Sequence, residues 1–251
     1  MGSQDFSPQG SQESEVGEGV SQLVSAPRVY ALVVPIEPGG AMGLLKRAVA
    51  DLRPSFLVIA RPQGVGASIA DKVSDAVVDF AKSIDLVLNA QVVEVPVKLV
   101  DGVVAVRRAI MHAKVLANTT LYVHFAIFDG SPTWLNTVLL YTASVVRSLT
   151  WEFIGLGKVR YYGVDGFEDL VKPARYVDLN PTEYLVLKII ARGHATAKEI
   201  HDTYVKEVEP VSRQLINATL ARLNQRRLVN MVGSGKNYYY QLTNLGRMIV
   251  G

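Results

Sequence analysis

Four groups of residues in this 251-residue chain have side chains and spacing suited to chemistry. The first is Ser212, Arg213, Gln214, Asn217 and Arg222. Ile216, Leu220 and Leu223 recur there at i, i+4, i+7, the apolar stripe of a helix that buries one side. At 100° per residue, Arg213, Gln214, Asn217, Ala218 and Ala221 gather on the other side. A thin face carrying Arg, Gln and Asn is the donor and acceptor set that reads base edges, and Arg222 beside it suits phosphate. The second group, Lys236, Asn237 and Tyr238, follows a glycine turn and can meet phosphates or the edge of a minor groove. The third is a pair of loops, Glu37-Pro38-Gly39-Gly40-Ala41 and Asp129-Gly130-Ser131-Pro132-Thr133. Gly39 and Gly40 let a ligand approach backbone closely. Ser131-Pro132-Thr133 opens a helix with free amides and two hydroxyls, a phosphate-type site. The fourth group is the histidines. His112 and His124 fall inside regular elements, His194 in a turn and His201 on a helix, so none forms a regularly spaced metal pair. No acid or base partner stands beside them, and an enzyme is not expected.

The first two groups are positioned by residues 180–251. Asn180-Pro181-Thr182-Glu183 combines an N-cap acceptor, proline at the first helical position and glutamate at the third. Val186, Ile189 and Ile190 continue a helical stripe that Gly193 stops. Thr196-Ala197-Lys198-Glu199 is a second capping box, for a short helix to about residue 208. Pro210 then breaks the chain and starts the third helix. Two β-rich runs, 228–232 and 236–242, flank Gly233-Ser234-Gly235 and predict a hairpin. Leu242-Thr243-Asn244-Leu245-Gly246-Arg247 starts a last short helix. With Val211-Ser212-Arg213, Leu220-Ala221-Arg222-Leu223 and Leu228-Val229, this block resembles the winged helix-turn-helix domains of prokaryotic transcription regulators. The resemblance implies double-stranded DNA as partner, and a homodimer reading paired half-sites.

The two loops are positioned by residues 28–166. Apolar runs at 30–36, 55–60, 92–99 and 121–128 alternate with helical stretches at 42–52, 68–84, 101–117 and 131–149. Strands apolar throughout, rather than alternating, are buried on both faces, and their alternation with helices predicts a Rossmann-like α/β unit with a parallel sheet. Two further short strands are expected at 151–154 and 158–162, with a glycine between them. If winding runs outward from the first strand, the direction reverses between the first and fourth, and a ligand crevice opens at their carboxyl ends. Both loops fall there. Gly64 and Gly66 are no dinucleotide fingerprint, because they follow the second strand and Ile69 takes the third glycine position. Residues 167–179 are read as a linker.

Phe56-Leu57-Val58-Ile59-Ala60-Arg61-Pro62 with Gly64-Val65-Gly66-Ala67, and the Asp129-Gly130-Ser131 loop, in a Rossmann-like unit ahead of a winged helix, resemble the CARF-domain regulators associated with CRISPR systems, found largely in archaea. The resemblance implies a sensor that binds cyclic oligoadenylate across a homodimer and a winged helix that binds DNA. The resemblance covers Asp129, Gly130 and Ser131, and with the crevice loops the candidate ligand set is Glu37, Gly39, Gly40, Ala41, Asp129, Gly130, Ser131 and Thr133. This chain departs from the family at Leu135, where a basic residue is the pattern. Two alternatives stand beside a ligand-responsive regulator: a dimeric winged-helix regulator that senses nothing, and a CARF-type nuclease.

Composition sets the outer limits. Cysteine is absent, which removes disulfides, a thiol nucleophile and cysteine-based zinc sites. Neither a metal nor a cofactor is expected. The net charge of +3 is unevenly spread. Residues 1–27 hold four acids and no base, whereas 178–251 hold ten Lys/Arg against six Asp/Glu. A basic module therefore sits at one end. The first 27 residues are too polar to offset their ordering entropy and are expected to be a disordered tail. No apolar run is long enough to span a bilayer and no signal peptide is legible, so a cytoplasmic protein is expected.

Overall fold

The computed structural model describes residues 28–36, 42–64, 67–149, 154–166, 168–173, 177–193, 195–234 and 237–251. The N-terminal unit runs β1 (Val29–Pro35), α1 (Met42–Leu52), β2 (Phe56–Pro62), α2 (Ala67–Ser83), β3 (Asn89–Val95), α3 (Leu99–Ala117), β4 (Leu121–Phe128), α4 (Thr133–Ser148), β5 (Ile154–Tyr162) and β6 (Glu168–Leu170). The six strands form one sheet in the order β3-β2-β1-β4-β5-β6. β1 to β5 pair in parallel and β6 closes the edge antiparallel. Successive side chains of a strand point to opposite faces. Leu32, Val34, Leu57 and Ile59 meet Leu45 and Val49 of α1 and Val77 of α2 in one core. Ala31, Val33, Val58 and Phe125 share the other core with Val103 and Ile110 of α3 and Leu139 of α4. Helices on both faces require central strands with no polar face.

Three local expectations are corrected. β3 lies at 89–95 rather than 92–99. As an edge strand it tolerates Asn89, Gln91 and Glu94, and Pro96 ends its pairing. A single strand, β5, runs through the glycines expected to divide two. Residues 151–153 lie outside the described residues. The stretch read as a linker contributes β6. Glu168 there pairs with Arg47 of α1 and, at 3.1 Å, with Arg160 of β5. Further on, Arg147 Nη1 donates to the Pro173 carbonyl at 2.6 Å, and the Val177 amide to Ser148 Oγ at 3.2 Å.

The C-terminal unit is α5 (Pro181–Ala191), α6 (Ala197–Glu207), α7 (Arg213–Gln225), an antiparallel hairpin of β7 (Val229–Ser234) and β8 (Asn237–Leu242), and α8 (Asn244–Val250). Both capping boxes form, Asn180 with Glu183 and Thr196 with Glu199. α7 begins later than Pro210 suggests, because Ser212 is its N-cap and accepts from the Leu215 amide at 3.2 Å. Serine satisfies an orphan amide that proline at 210 leaves unmet. Ile216, Leu220 and Leu223 are buried against α5 and α6, and their core is continuous with that of the α3–α4 face. Among the described residues, no helix is long and apolar enough to cross a membrane.

Candidate functional site

The strand order reverses direction of winding between β1 and β4, so their carboxyl ends flank a crevice. On the β4 side, the Phe128 carbonyl accepts from the Ser131 amide at 3.3 Å and from Asn136 Nδ2 at 3.1 Å. Gly130 turns the loop with φ +78°, and its amide donates to Asp129 Oδ1 at 2.9 Å. Asp129 is also tied back by its own amide, which donates to the Tyr162 carbonyl at 3.0 Å. Pro132, not Ser131, is the N-cap of α4, and it supplies no side-chain cap. Thr133 is exposed as the first helical residue. The first-turn amides are therefore without the cap that serine would have provided.

Two polar atoms at this turn are buried without a hydrogen-bond partner, Ser131 Oγ and Asn136 Oδ1. Because Asn136 Nδ2 is committed to Phe128, its oxygen can only accept. An orphaned buried acceptor costs about 1–3 kcal/mol and is satisfied by anything bringing an N–H or O–H. Sequence reasoning missed Asn136; its position in the first turn of α4, one turn after Ser131-Pro132, was the available signal. The surroundings on this side are acidic. Burial chiefly, then Asp129 and Asp165, raises the Tyr161 pKa. Leu135 is fully buried in the α3–α4 core. A cation there would be desolvated without a partner, so α4 brings no phosphate-pairing charge at that position. Glu37, Gly39, Gly40 and Ala41 lie outside the described residues.

The second grouping is on α7. Arg213, Gln214, Asn217, Ala218 and Ala221 are all exposed, with Ser212 exposed at the cap. Arg213 stands near Asp202 of α6, whose carboxyl is held below its usual range mainly by the hydrogen bond from His201 Nδ1, 3.0 Å away. His201 Nε2 lies 3.0 Å from the Val211 carbonyl, which ties α6 to the turn before α7. Arg222 is placed otherwise. Its Nε lies 3.2 Å from Oε1 of Glu183, and Arg226 Nη1 lies 2.9 Å from Oε2 of the same carboxylate. Glu183 is buried, so these two arginines neutralise it and bind α7 to the start of α5. Nothing in the sequence linked Arg222 to a carboxylate 39 residues away.

In the hairpin Tyr238 stacks edge-on to the buried Tyr240 with ring centroids 6.0 Å apart, leaving Tyr238 37% exposed. Asn237 opens β8, and Lys236 lies outside the described residues. His124 is buried in β4, as expected of a strand histidine, whereas His112 is exposed on α3, with Nδ1 3.2 Å from Gln91 Oε1. His194 lies outside the described residues. Among the described residues no group of three or more His, Asp or Glu side chains could hold a metal ion.

No family model matches the chain, and no curated protein matches it. Among solved structures it is similar to protein VC1899 from Vibrio cholerae, at 13% identity and a TM-score of 0.39 over 87% of this chain and 63% of that one. It is also similar to Enterococcus italicus Csm6 bound to cyclic hexa-2'-fluoro-hexa-dAMP, at 8% identity and a TM-score of 0.43 over 80% of this chain and 55% of that one. The chain thus spans less than two thirds of either.

Proposed function

We propose that the chain is a ligand-responsive DNA-binding regulator that acts as a homodimer. In this reading α5 to α8 with the β7–β8 hairpin are a winged helix-turn-helix unit, and α7 is its recognition helix. One observation carries it: every polar residue expected to face DNA on α7 before Arg222 is exposed, while the apolar stripe opposite is buried. Arg213, Gln214 and Asn217 meet base edges; Lys236, Asn237 and Tyr238 meet phosphates or the minor-groove edge. Arg222 contributes to the rigidity of α7 through Glu183 rather than to phosphate. The sensor reading rests on the residue resemblance to CARF-domain regulators and on the crevice. A nucleotide such as cyclic oligoadenylate would donate from its amino and hydroxyl groups to Asn136 Oδ1 and Ser131 Oγ, beside acidic Asp129. Its phosphates would lie away from α4.

DNA binding is tested on operator and scrambled duplexes across a salt series. Arg213→Ala is expected to cost about 1–3 kcal/mol per half-site and to relax sequence preference. Lys236→Ala should weaken both duplexes alike and reduce the salt slope by about one charge. If both variants bind both duplexes like wild type, the C-terminal unit is no DNA reader. Sensing is tested by melting the protein with cyclic tetra-adenylate. At 100 times its Kd a ligand adds about 2.7 kcal/mol of stability, and Ser131→Glu should abolish that gain while leaving basal DNA affinity intact. No stabilisation of the wild type would favour the reading in which the sheet unit only dimerises.

A further inference from the structure

Where the sheet unit meets the C-terminal unit there is an open cleft of about 530 Å³. Its floor is apolar, built from Val104 of α3, Ile190 of α5, Leu242 of β8 and Val250 of α8. Its polar rim comes from Arg108 of α3, Arg247 of α8 and Tyr239 of β8, and among the described residues no acidic side chain lines it. Arg247 Nη2 lies 3.2 Å from Asp101 Oδ1, whose other oxygen is 3.9 Å from Lys98 Nζ, so that group stays net positive. Arg108 is exposed, and among the described residues no ion pair engages it. Gly251 also borders the cleft, but a Cβ built on it would lie 3.1 Å from Nη1 of the buried Arg107. Arg108 stands at the rim as an exposed guanidinium.

We propose that this cleft binds a small aromatic anion, a flat ring carrying a carboxylate, sulfonate or phosphate. The volume falls in the range of small-molecule sites, which join an apolar body to a few placed polar groups. A guanidinium pairs with a planar oxyanion through two parallel hydrogen bonds, and Arg is weakly hydrated enough to give up water there. Val104, Ile190 and Leu242 take the ring. A ligand so placed touches α3 of the sheet unit and β8 of the hairpin together, and braces one against the other. β8 is already anchored beside the cleft, since the Tyr240 amide donates to the Ala195 carbonyl at 2.7 Å. The site is independent of the crevice between β1 and β4.

The full chain is titrated with 8-anilinonaphthalene-1-sulfonate, an aromatic anion whose fluorescence rises on leaving water. Saturable binding at one probe per chain is expected. Arg108→Glu should weaken it by at least about tenfold, which corresponds to about 1.4 kcal/mol. Ala191→Trp, which fills the cleft from the exposed side of α5 without changing charge, should abolish it. Both positions are exposed, so melting curves of the variants should match wild type. Ser131→Glu in the crevice should leave the titration unchanged, which separates this proposal from the sensor reading. The proposal is overturned by a wild type without saturable binding, by variants at 108 and 191 that bind like wild type, or by loss of binding in Ser131→Glu.

Discussion

His124 shows how much one residue can depend on its neighbours. Its ring stacks on Tyr30 at 4.7 Å, and Nδ1 accepts the Lys158 amide at 2.7 Å. The ring fits only because β5 has glycine opposite: a Cβ at Gly157 would lie 2.5 Å from Nδ1, and one at Gly155 would lie 2.8 Å from the Tyr122 ring. Burial first, and the Lys158 charge second, lower the His124 pKa from 6.5 to about 4. Protonation would also set a second donor against the Lys158 amide. Below pH 6.5 the unfolded chain takes up a proton that the folded chain refuses, so stability falls with pH down to about 4 and levels off below that. About 2–3 kcal/mol should be lost across this window, somewhat less than full linkage because Tyr30 leaves one side of the stack half-exposed. The difference in unfolding free energy between wild type and His124→Gln, measured from pH 8 to pH 4, should change by that amount. A constant difference would mean the imidazole titrates normally.

At the scale of elements, α5 and α7 are joined by one carboxylate. Glu183 closes the α5 capping box, its Oε2 accepting from the Asn180 amide at 3.0 Å, and pairs with Arg222 and Arg226. Removing one partner of a buried ion pair costs about 3–5 kcal/mol. Here the arginines are half-exposed and can rehydrate, which moves the expectation to the lower end. Glu183→Ala should destabilise the chain by about 3 kcal/mol. Glu183→Gln should cost less, because glutamine still closes the box. Equilibrium unfolding in urea distinguishes them; equal losses would show that the cap contributes nothing. The same variants should weaken DNA binding only through stability, since Glu183 lies behind the face of α7 proposed to meet DNA.

Over the whole molecule, α3 serves both units. Val103, Val106 and Ile110 pack on the sheet, while the buried Arg107, flanking that face, donates to the Tyr184 hydroxyl of α5 at 2.8 Å and Asp101 meets Arg247 of α8. One apolar core runs from β1 through α3 and α4 to α5, α7 and α8. Units that share a core unfold together. Tryptophan fluorescence reports only the N-terminal part, because Trp134 and Trp151 are the only tryptophans, whereas far-ultraviolet circular dichroism reports the whole chain. The two urea transitions should coincide in wild type and separate in Arg107→Ala. Separate transitions in wild type would show that the C-terminal unit is an independent body.

What the sequence determined by itself is local or periodic. Both capping boxes, the apolar stripe of α7, the β7–β8 hairpin and the buried strands β1, β2 and β4 can be read within windows of about a dozen residues. Hydrogen bonds to caps and burial of a periodic face operate over that span. Even the switch between β1 and β4 follows from an alternation of strand and helix plus outward winding. Only the tertiary structure decided where charges end. Arg222 looks like a phosphate ligand until Glu183 is brought beside it, and Leu135 is a helix residue like any other until α4 turns it into the core. Gly155 and Gly157 read as a break between strands, but Tyr122 and His124 need their missing side chains. Residues 168–170 read as a connection until Arg47 and Arg160 supply partners for Glu168. In each case the deciding contact is set by sheet pairing or helix packing, and neither partner carries a mark of the other in its own stretch of chain.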